Sequence, residues 1–319
     1  METDLKTALV FPGQASQYVG MGRDIYNVFP LAKKMFKKAN EIVGYDLADK
    51  CFNGPLSDLT QTHITQPAIY TISSILFSLL KRLNFPYHGT AGHSLGEYSA
   101  LFAAGVFSFE DGLHLVDIRG KAMEAAGEQN PGAMAAILKL DREKIEEACQ
   151  RASDYGRVQI ANINSPGQIV ISGEFEAVQV AMKIAKELGA SRVIQLDVSG
   201  AFHSHLMAQA RKELEKVIYD IPFHTPQIPV YCNVNAKIVT TPDEIRKNLI
   251  DQLENPVLFM DEINQMILDG FEQFVEVGPG QVLQGLIHRI NPDVVVKGVS
   301  SYPDLQNLLG DLSELENEN

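Results

Sequence analysis

The sequence predicts an α/β protein in two parts, a larger domain on a mainly parallel sheet and a small module inserted into it. Three observations carry this. Short apolar runs alternate with segments of helical periodicity, the order a parallel sheet requires. Between Gly132 and Val198 the predicted order changes to βαββαβ. Gly92-His93-Ser94-Leu95-Gly96 stands between a predicted strand and a predicted helix.

Taken in order, Thr7–Phe11 reads as the first strand, stopped by Pro12-Gly13, which opens a Gly- and Gln-rich loop over Gly13–Gly22. Pro67, a good first-turn residue, predicts a helix start. Ile69, Ile72, Leu76, Leu79 and Leu80 continue one apolar face to about Arg82. Thr90–His93 reads as a strand, and Leu95–Ala104 as a helix closed by Gly105. Ser108 and Asp111 have capping-box form ahead of a helix over Glu110–Ala126. In the central region Met134–Leu138, Val158–Asn162, Ile169–Ser172 and Arg192–Leu196 read as strands. Arg142–Arg151 and Phe175–Leu188 read as helices, completing the order of a ferredoxin-like module. Helices follow over Ser204–Ile218, Ile245–Gln252 and Met260–Phe271, with strands over Val230–Val234, Gln273–Val277 and Val294–Val299. The domains expected are 1–130 with 199–319, and 131–198. The acidic end Ser313–Asn319 is expected to fray.

Composition narrows the function classes. The 319 residues are 45% hydrophobic and 21% charged, enough for a sizeable core and unlike a disordered chain. The 27 basic against 40 acidic residues leave a formal charge of −13, a poor match to nucleic acid or an anionic membrane. Cys51, Cys149 and Cys232 are widely spaced and odd in number, which suits a reducing cytosol rather than a disulfide framework or a zinc site. Met1-Glu2-Thr3-Asp4 has no signal-peptide pattern, and the apolar stretch Ile69–Leu80 is too short to span a bilayer. A cytoplasmic protein is expected.

The strand–turn–helix context makes Ser94 a candidate nucleophile, since such an elbow pushes a hydroxyl out beside helix N–H groups. The bland alternative is an ordinary serine in a glycine-bounded turn. A serine needs a base. Of the eight histidines, His203 is the best placed, just where the chain re-enters the large domain. His203 and His205 could also form a metal pair, but no acidic or cysteine ligand accompanies them. Gln14 leaves the carboxyl end of one parallel strand and Ser94 that of another. Gln14 and the Leu95 N–H could therefore line an oxyanion hole, or Gln14 could be part of a structural turn. Arg119 lies on or near an apolar helix stripe. It either pairs with Glu124 or Asp117, or clamps a substrate carboxylate. Gly278-Pro279-Gly280 lacks the spacing and the Lys-Ser/Thr of a phosphate loop.

Five motifs then coincide in order: Phe11-Pro12-Gly13-Gln14, Gly92-His93-Ser94-Leu95-Gly96-Glu97, Ile118-Arg119-Gly120, Ala201-Phe202-His203-Ser204 and Glu276-Val277-Gly278-Pro279-Gly280. With Asn162–Gly167 and Gln252–Val257, they make the chain resemble the malonyl-CoA:acyl-carrier-protein acyltransferase family over nearly its whole length. The resemblance implies an α/β-hydrolase-like large domain with an inserted ferredoxin-like small domain. It implies Ser94 as the acyl-carrying nucleophile, His203 as its base, and Arg119 as the malonyl clamp. Gln14 and Leu95 become oxyanion donors, and the backbone carbonyl of Gln252 orients the histidine. Malonyl-CoA is the implied donor and an acyl carrier protein the acceptor, with no cofactor and no metal. Ala201-Phe202-His203-Ser204 is similar to polyketide synthase acyltransferase domains. In a discrete chain it suggests a trans-acting enzyme of polyketide biosynthesis, the alternatives being a housekeeping fatty-acid transferase, a proofreading hydrolase of the same fold, or a non-catalytic carrier-binding module. Ala15 replaces the family's usual Gly, which is compatible with a negative φ there. Carriers of this type are usually acidic, and Lys33, Lys34, Lys37 and Lys38 on one predicted helix, with Arg289, are the basic positions offered to one, the blander reading of the lysines being a solvated helix face.

Overall fold

Residues 5–310 and 312–316 are described by a computed structural model, and their strands fall into two sheets. In chain order these are β1 (Thr7–Phe11), β2 (Gly89–Gly92), β3 (Gly132–Leu138), β4 (Val158–Ser165), β5 (Gln168–Glu174), β6 (Arg192–Gln195), β7 (Val230–Tyr231), β8 (Ile238–Val239), β9 (Gln273–Val277) and β10 (Val295–Val299). The six-stranded sheet has the order β10-β9-β1-β2-β7-β8. Its pairings from β10 to β7 are parallel, and β8 closes the edge antiparallel to β7. The four-stranded sheet has the order β4-β5-β3-β6 and is wholly antiparallel, the arrangement of a ferredoxin-like module.

Register decides where a site can form. Phe11 pairs with Gly92 at the carboxyl ends of β1 and β2, so the loops that follow leave the sheet side by side. The all-buried pattern of β1 fits a strand covered on both faces. The small sheet instead alternates. Ala133, Ala135 and Ile137 of β3 pack with Ile145, Ala148, Val178 and Ala181 of its own helices. Met134 and Ala136 face the other way, into the large core. The inserted module is thus held by burial on its second face. Its seam is also bonded by backbone: Ile163 N donates to Val257 O (2.9 Å) and Val257 N to Ala161 O (2.9 Å).

Several expectations need correction. The helix expected from Pro67 begins at Thr62 and contains Pro67, running to Arg82. Proline leaves the His63 carbonyl without its helical donor, and the Tyr45 hydroxyl takes that place at 3.1 Å. The strand expected over Val230–Val234 stops at Tyr231, because Asn233 turns its polar groups to the site described below. The helix expected over Ser204–Ile218 opens as a 3-10 turn, His205–Met207, before Ala208–Ile218. The end expected to fray is ordered as a short helix, Ser313–Glu316, with Leu312 and Leu315 buried; positions 317–319, like the acidic start at 1–4, lie outside the described residues. The helices Arg23–Val28, Pro30–Val43, Leu47–Asn53, Val282–Ile290 and Tyr302–Leu309 carried no separate expectation beyond a helix through the lysines. All three cysteines are free and buried. Among the described residues no helix is long and apolar enough to cross a membrane.

Candidate active site

Ser94 sits in a turn that only this glycine spacing permits. A Cβ at Gly92 would lie 2.0 Å from the Gly96 carbonyl carbon, and one at Gly96 would lie 2.0 Å from Phe11 O. Strand β2, the turn and the helix Gly96–Ala103 therefore pack backbone against backbone. Ser94 takes φ 52°, a strained value for a residue with a Cβ. The strain lifts its hydroxyl toward groups from distant parts of the chain.

His203 Nε2 lies 2.9 Å from Ser94 Oγ, and its Nδ1 lies 2.8 Å from the carbonyl of Gln252. A carbonyl can only accept, so Nδ1 carries the proton and Nε2 presents its lone pair to the serine hydroxyl. Gln252 caps the helix Pro242–Asp251, where carbonyls run out of intrahelical donors, which leaves its oxygen available. His203 is buried, and burial first, then the Arg119 charge, lower its pKa from 6.5 to about 3. The imidazole is neutral, as a base must be.

Arg119 belongs to the helix Phe109–Gln129 and is 1% exposed. Neither Glu124 nor Asp117 pairs with it. Glu124 bonds His63, and Asp117 takes Lys121 at 2.7 Å. Arg119 instead donates to Gln66 Oε1 (2.7 Å), Gln252 Oε1 (2.8 Å) and Ser94 Oγ (3.1 Å), with Tyr98 under its guanidinium at 5.5 Å. Burial lowers its pKa, opposed by Tyr98 and Glu97. The serine oxygen thus accepts from a cation while its proton points to a neutral imidazole.

Gln14 is brought to the same edge but not to the serine. It donates to Thr62 Oγ1 at 3.4 Å and accepts from Gln66 Nε2 at 3.3 Å, so Gln66 links it to Arg119. Leu95 follows Ser94 directly at the start of the helix Gly96–Ala103. Ala15 does not keep a negative φ. Its φ is 78°, and Gln17 Oε1 holds its N–H at 2.8 Å, so a short side-chain bond supports a conformation usually left to glycine. His205 points away to Glu174 at 3.4 Å. Among the described residues no cluster of three His, Cys, Asp or Glu could hold a metal. At Gly278-Pro279-Gly280 the following helix N-terminus is already filled: the Glu276 carboxylate accepts from Leu283 N (3.0 Å) and Gln284 N (3.1 Å).

No sequence motif points to Gln66, Tyr98 or Asn233. Asn233 Oδ1 accepts the Ser94 N–H at 2.7 Å and lies at the foot of the elbow. His93, beside Ser94, bonds Asn164 of β4 at 2.8 Å and ties the turn to the small domain. Of the basic positions considered for a partner, Lys34, Lys37 and Lys38 line a groove of about 570 Å³ with Arg82 and Phe109. Arg289 reaches Gln168 of the small domain at 3.0 Å.

Comparison with known proteins identifies the family. Residues 8–303 match the family described as acyl transferase domain. A malonyl CoA-acyl carrier protein transacylase of Bacillus subtilis is 42% identical over 315 residues, 98% of this chain and 99% of that protein. The solved acyl carrier protein S-malonyltransferase of Vibrio cholerae superposes with a TM-score of 0.92 at 41% identity, covering 95% of this chain and 99% of its own. A malonyl-transacylase in complex with its type II polyketide synthase acyl-carrier protein gives 0.91 at 39% identity, covering 98% and 100%. With the fold and nearly the full length in common, this chain belongs to the acyl transferase domain family.

Proposed function

We propose that the protein moves a malonyl group from coenzyme A to the phosphopantetheine thiol of an acyl carrier protein through malonyl-Ser94. Ser94 Oγ attacks the thioester carbonyl while its proton passes to His203 Nε2. The tetrahedral oxyanion is received by Leu95 N–H and the Gln14 amide, which must swing from Thr62 to reach it. The C–S bond breaks, and His203 returns the proton to the departing thiolate. The carrier thiol then gives its proton to the same nitrogen and attacks the ester. Its C–O bond breaks, and the Ser94 hydroxyl is restored. No cofactor takes part in either step.

The observation that carries this reading is the buried Arg119 guanidinium, 3.1 Å from the nucleophile. It is a fork fitted to the free carboxylate of a malonyl group. A hydrolase of neutral acyl groups would leave that cation unused, and a mere carrier-binding module would leave the Ser94–His203 contact unused. The acceptor favoured is the housekeeping fatty-acid carrier, in place of the polyketide carrier suggested by Ala201-Phe202-His203-Ser204. The relative from Bacillus subtilis bears a name that specifies only an acyl carrier protein. The relative with a polyketide carrier is as close to the chain in fold, so overall fold does not separate the two acceptors.

Incubation with malonyl-CoA, followed by intact-protein and peptide mass spectrometry, tests the chemistry. One malonyl group on Ser94, lost in Ser94→Ala, is expected. An adduct on Ser99 or Cys51, or one that persists in the variant, overturns the assignment. Comparison of kcat/KM for the fatty-acid carrier and a polyketide carrier at equal ionic strength tests the acceptor. A clear preference for the polyketide carrier restores the trans-acting reading.

A further inference from the structure

Under the nucleophile lies a buried polar cluster that the transfer steps leave unused. Asn233, Glu97 and Glu262 are all 0% exposed. Asn233 stands at the centre. Its Oδ1 accepts from Ser94 N (2.7 Å) and Gln252 Nε2 (3.1 Å), and its Nδ2 donates to Gly92 O (2.6 Å) and Glu262 Oε1 (2.8 Å). Its own backbone N donates to Glu97 Oε2 at 3.2 Å. Ser94 N–H can only donate and Gly92 C=O can only accept, so the orientation of the carboxamide is not in question. The single side chain grips both sides of the elbow and also Gln252. Gln252 in turn orients His203 through its carbonyl, holds Arg119 through Oε1, and donates to Glu97 Oε2 at 2.7 Å.

We propose that Asn233 is a positioning residue of the acyl transfer: it braces the strained Ser94 turn and fixes it to Gln252, holding the hydroxyl in register with the imidazole. The inference takes the transfer reaction above as its setting. The reason is geometric. Ser94 at φ 52° holds a conformation its own side chain disfavours, and the bonds from Gly92 O and Ser94 N to one carboxamide oppose relaxation. Gln252 Nε2 also donates to Ser94 O at 3.1 Å, but among the described residues only Asn233 bonds Gly92 O, Ser94 N and Gln252 together. Glu262 supports the amide from below. Burial holds its carboxyl well above the usual range, with the Glu97 charge acting in the same direction. Glu97 is likewise raised by burial. The groups facing Asn233 are thus two reluctant acids, and beyond them Cys232 and Arg119.

The test uses Asn233→Ala and Asn233→Asp in the full chain, with folding checked by circular dichroism and a cooperative melt above the assay temperature. The first readout is the rate at which a small fluorophosphonate labels Ser94. It needs the serine–histidine geometry but neither malonyl nor carrier, so its result stands whether or not the substrate is malonyl-CoA. Asn233→Ala is expected to label about 30- to 100-fold more slowly, the scale of a misplacement near 1 Å. The acylation rates with malonyl-CoA and acetyl-CoA should fall by one common factor, with KM for malonyl-CoA within about three-fold, because Arg119 keeps Gln66 and Gln252. Asn233→Asp retains both acceptor contacts but can donate to Gly92 O only when protonated. Its labelling rate should therefore rise as pH is lowered from about 8 to about 5.5, a limb that the native enzyme lacks. Labelling of a folded Asn233→Ala within three-fold of native, a loss confined to malonyl-CoA, or a native-like pH profile in Asn233→Asp would each overturn the proposal. If Asn233→Ala does not fold, the pH profile of Asn233→Asp decides alone.

Discussion

A serine hydroxyl held between a buried guanidinium and a neutral imidazole has two opposite influences on it. Arg119 stabilises negative charge on Ser94 Oγ, while His203 Nε2 stands ready to take the proton. Burial, and after it the same arginine, suppress imidazolium and bring the His203 pKa to about 3. The acylation kcat/KM of the free enzyme should therefore stay flat from about pH 8 to about pH 5 and show no break near 6.5 from this group. A stopped-flow pH profile checks it. The stability consequence follows in sign: between 6.5 and about 3 only the unfolded chain binds this proton, so stability is lost as pH falls through that window. His203→Ala should cost about 10²- to 10⁴-fold in transfer, whereas His205→Ala, whose ring faces Glu174, should cost less than about three-fold. Arg119→Ala should lower malonyl transfer by an amount on the order of 3–5 kcal/mol, the cost of a buried carboxylate without its partner, and raise the relative use of acetyl-CoA. Arg119→Lys should recover little, since an ammonium cannot reach Gln66, Gln252 and a carboxylate together. Steady-state assays with both donors check this, and an unchanged donor preference would leave Arg119 a purely structural cation. Ser94, His203 and Arg119 were legible because each sits in a local motif. Asn233 and Gln66 were not. Their neighbours in the chain say nothing about which amide is buried, and only the three-dimensional register brings them under the turn.

At the scale of elements, legibility followed periodicity and punctuation. Gln273–Val277 and Arg142–Arg151 were bounded by clear turn and cap residues and were read to the residue. The helix start at Thr62 was missed because proline reads as a first-turn residue, and the compensating hydroxyl of Tyr45 is distant in sequence. The elbow was legible through its glycines, though the reason for them lies in packing. Gly96→Ala would drive a methyl into the β1 carbonyl of Phe11, which neither strand nor helix can yield without moving Ser94. A destabilisation of about 1–3 kcal/mol is expected, with loss of Ser94 acylation well beyond the fraction unfolded. Calorimetry and single-turnover acylation on the same sample check it. Retained acylation at a lowered melting temperature would mean that the turn tolerates the shift.

Across the whole molecule, the residues of the proposed chemistry gather at one edge of the large sheet. Ser94 leaves the carboxyl end of β2, next to the loop after β1. The helix Thr62–Arg82 starts at that edge, where Gln66 meets Arg119, and Arg82 lies about 24 Å further along its axis at 1.5 Å per residue. The groove of Lys34, Lys37 and Lys38 lies at the Arg82 end. Lys34, Lys37, Lys38 and Arg82 line it with Glu41 and Glu110, a locally basic groove on a chain at −13 and so a surface on which an acidic carrier could dock. Its place in the fold argues against that role, because a carrier seated there would have its thiol arm on the side of the sheet away from the nucleophile. Arg289, on the helix Val282–Ile290 and bonded across to Gln168 of β5, lies instead at the seam of the two domains. Charge reversal at all three lysines (Lys34→Glu, Lys37→Glu and Lys38→Glu) should leave kcat/KM for the carrier within about two-fold of native, since exposed charges act over roughly a Debye length of 8–10 Å. The assay should be run at low and at physiological ionic strength with a saturating acyl donor, so that only the carrier step is read. A fall of ten-fold or more at low salt that shrinks at high salt would place the acidic partner on the lysine groove after all. It would then require a path for its arm around the amino edge of the sheet.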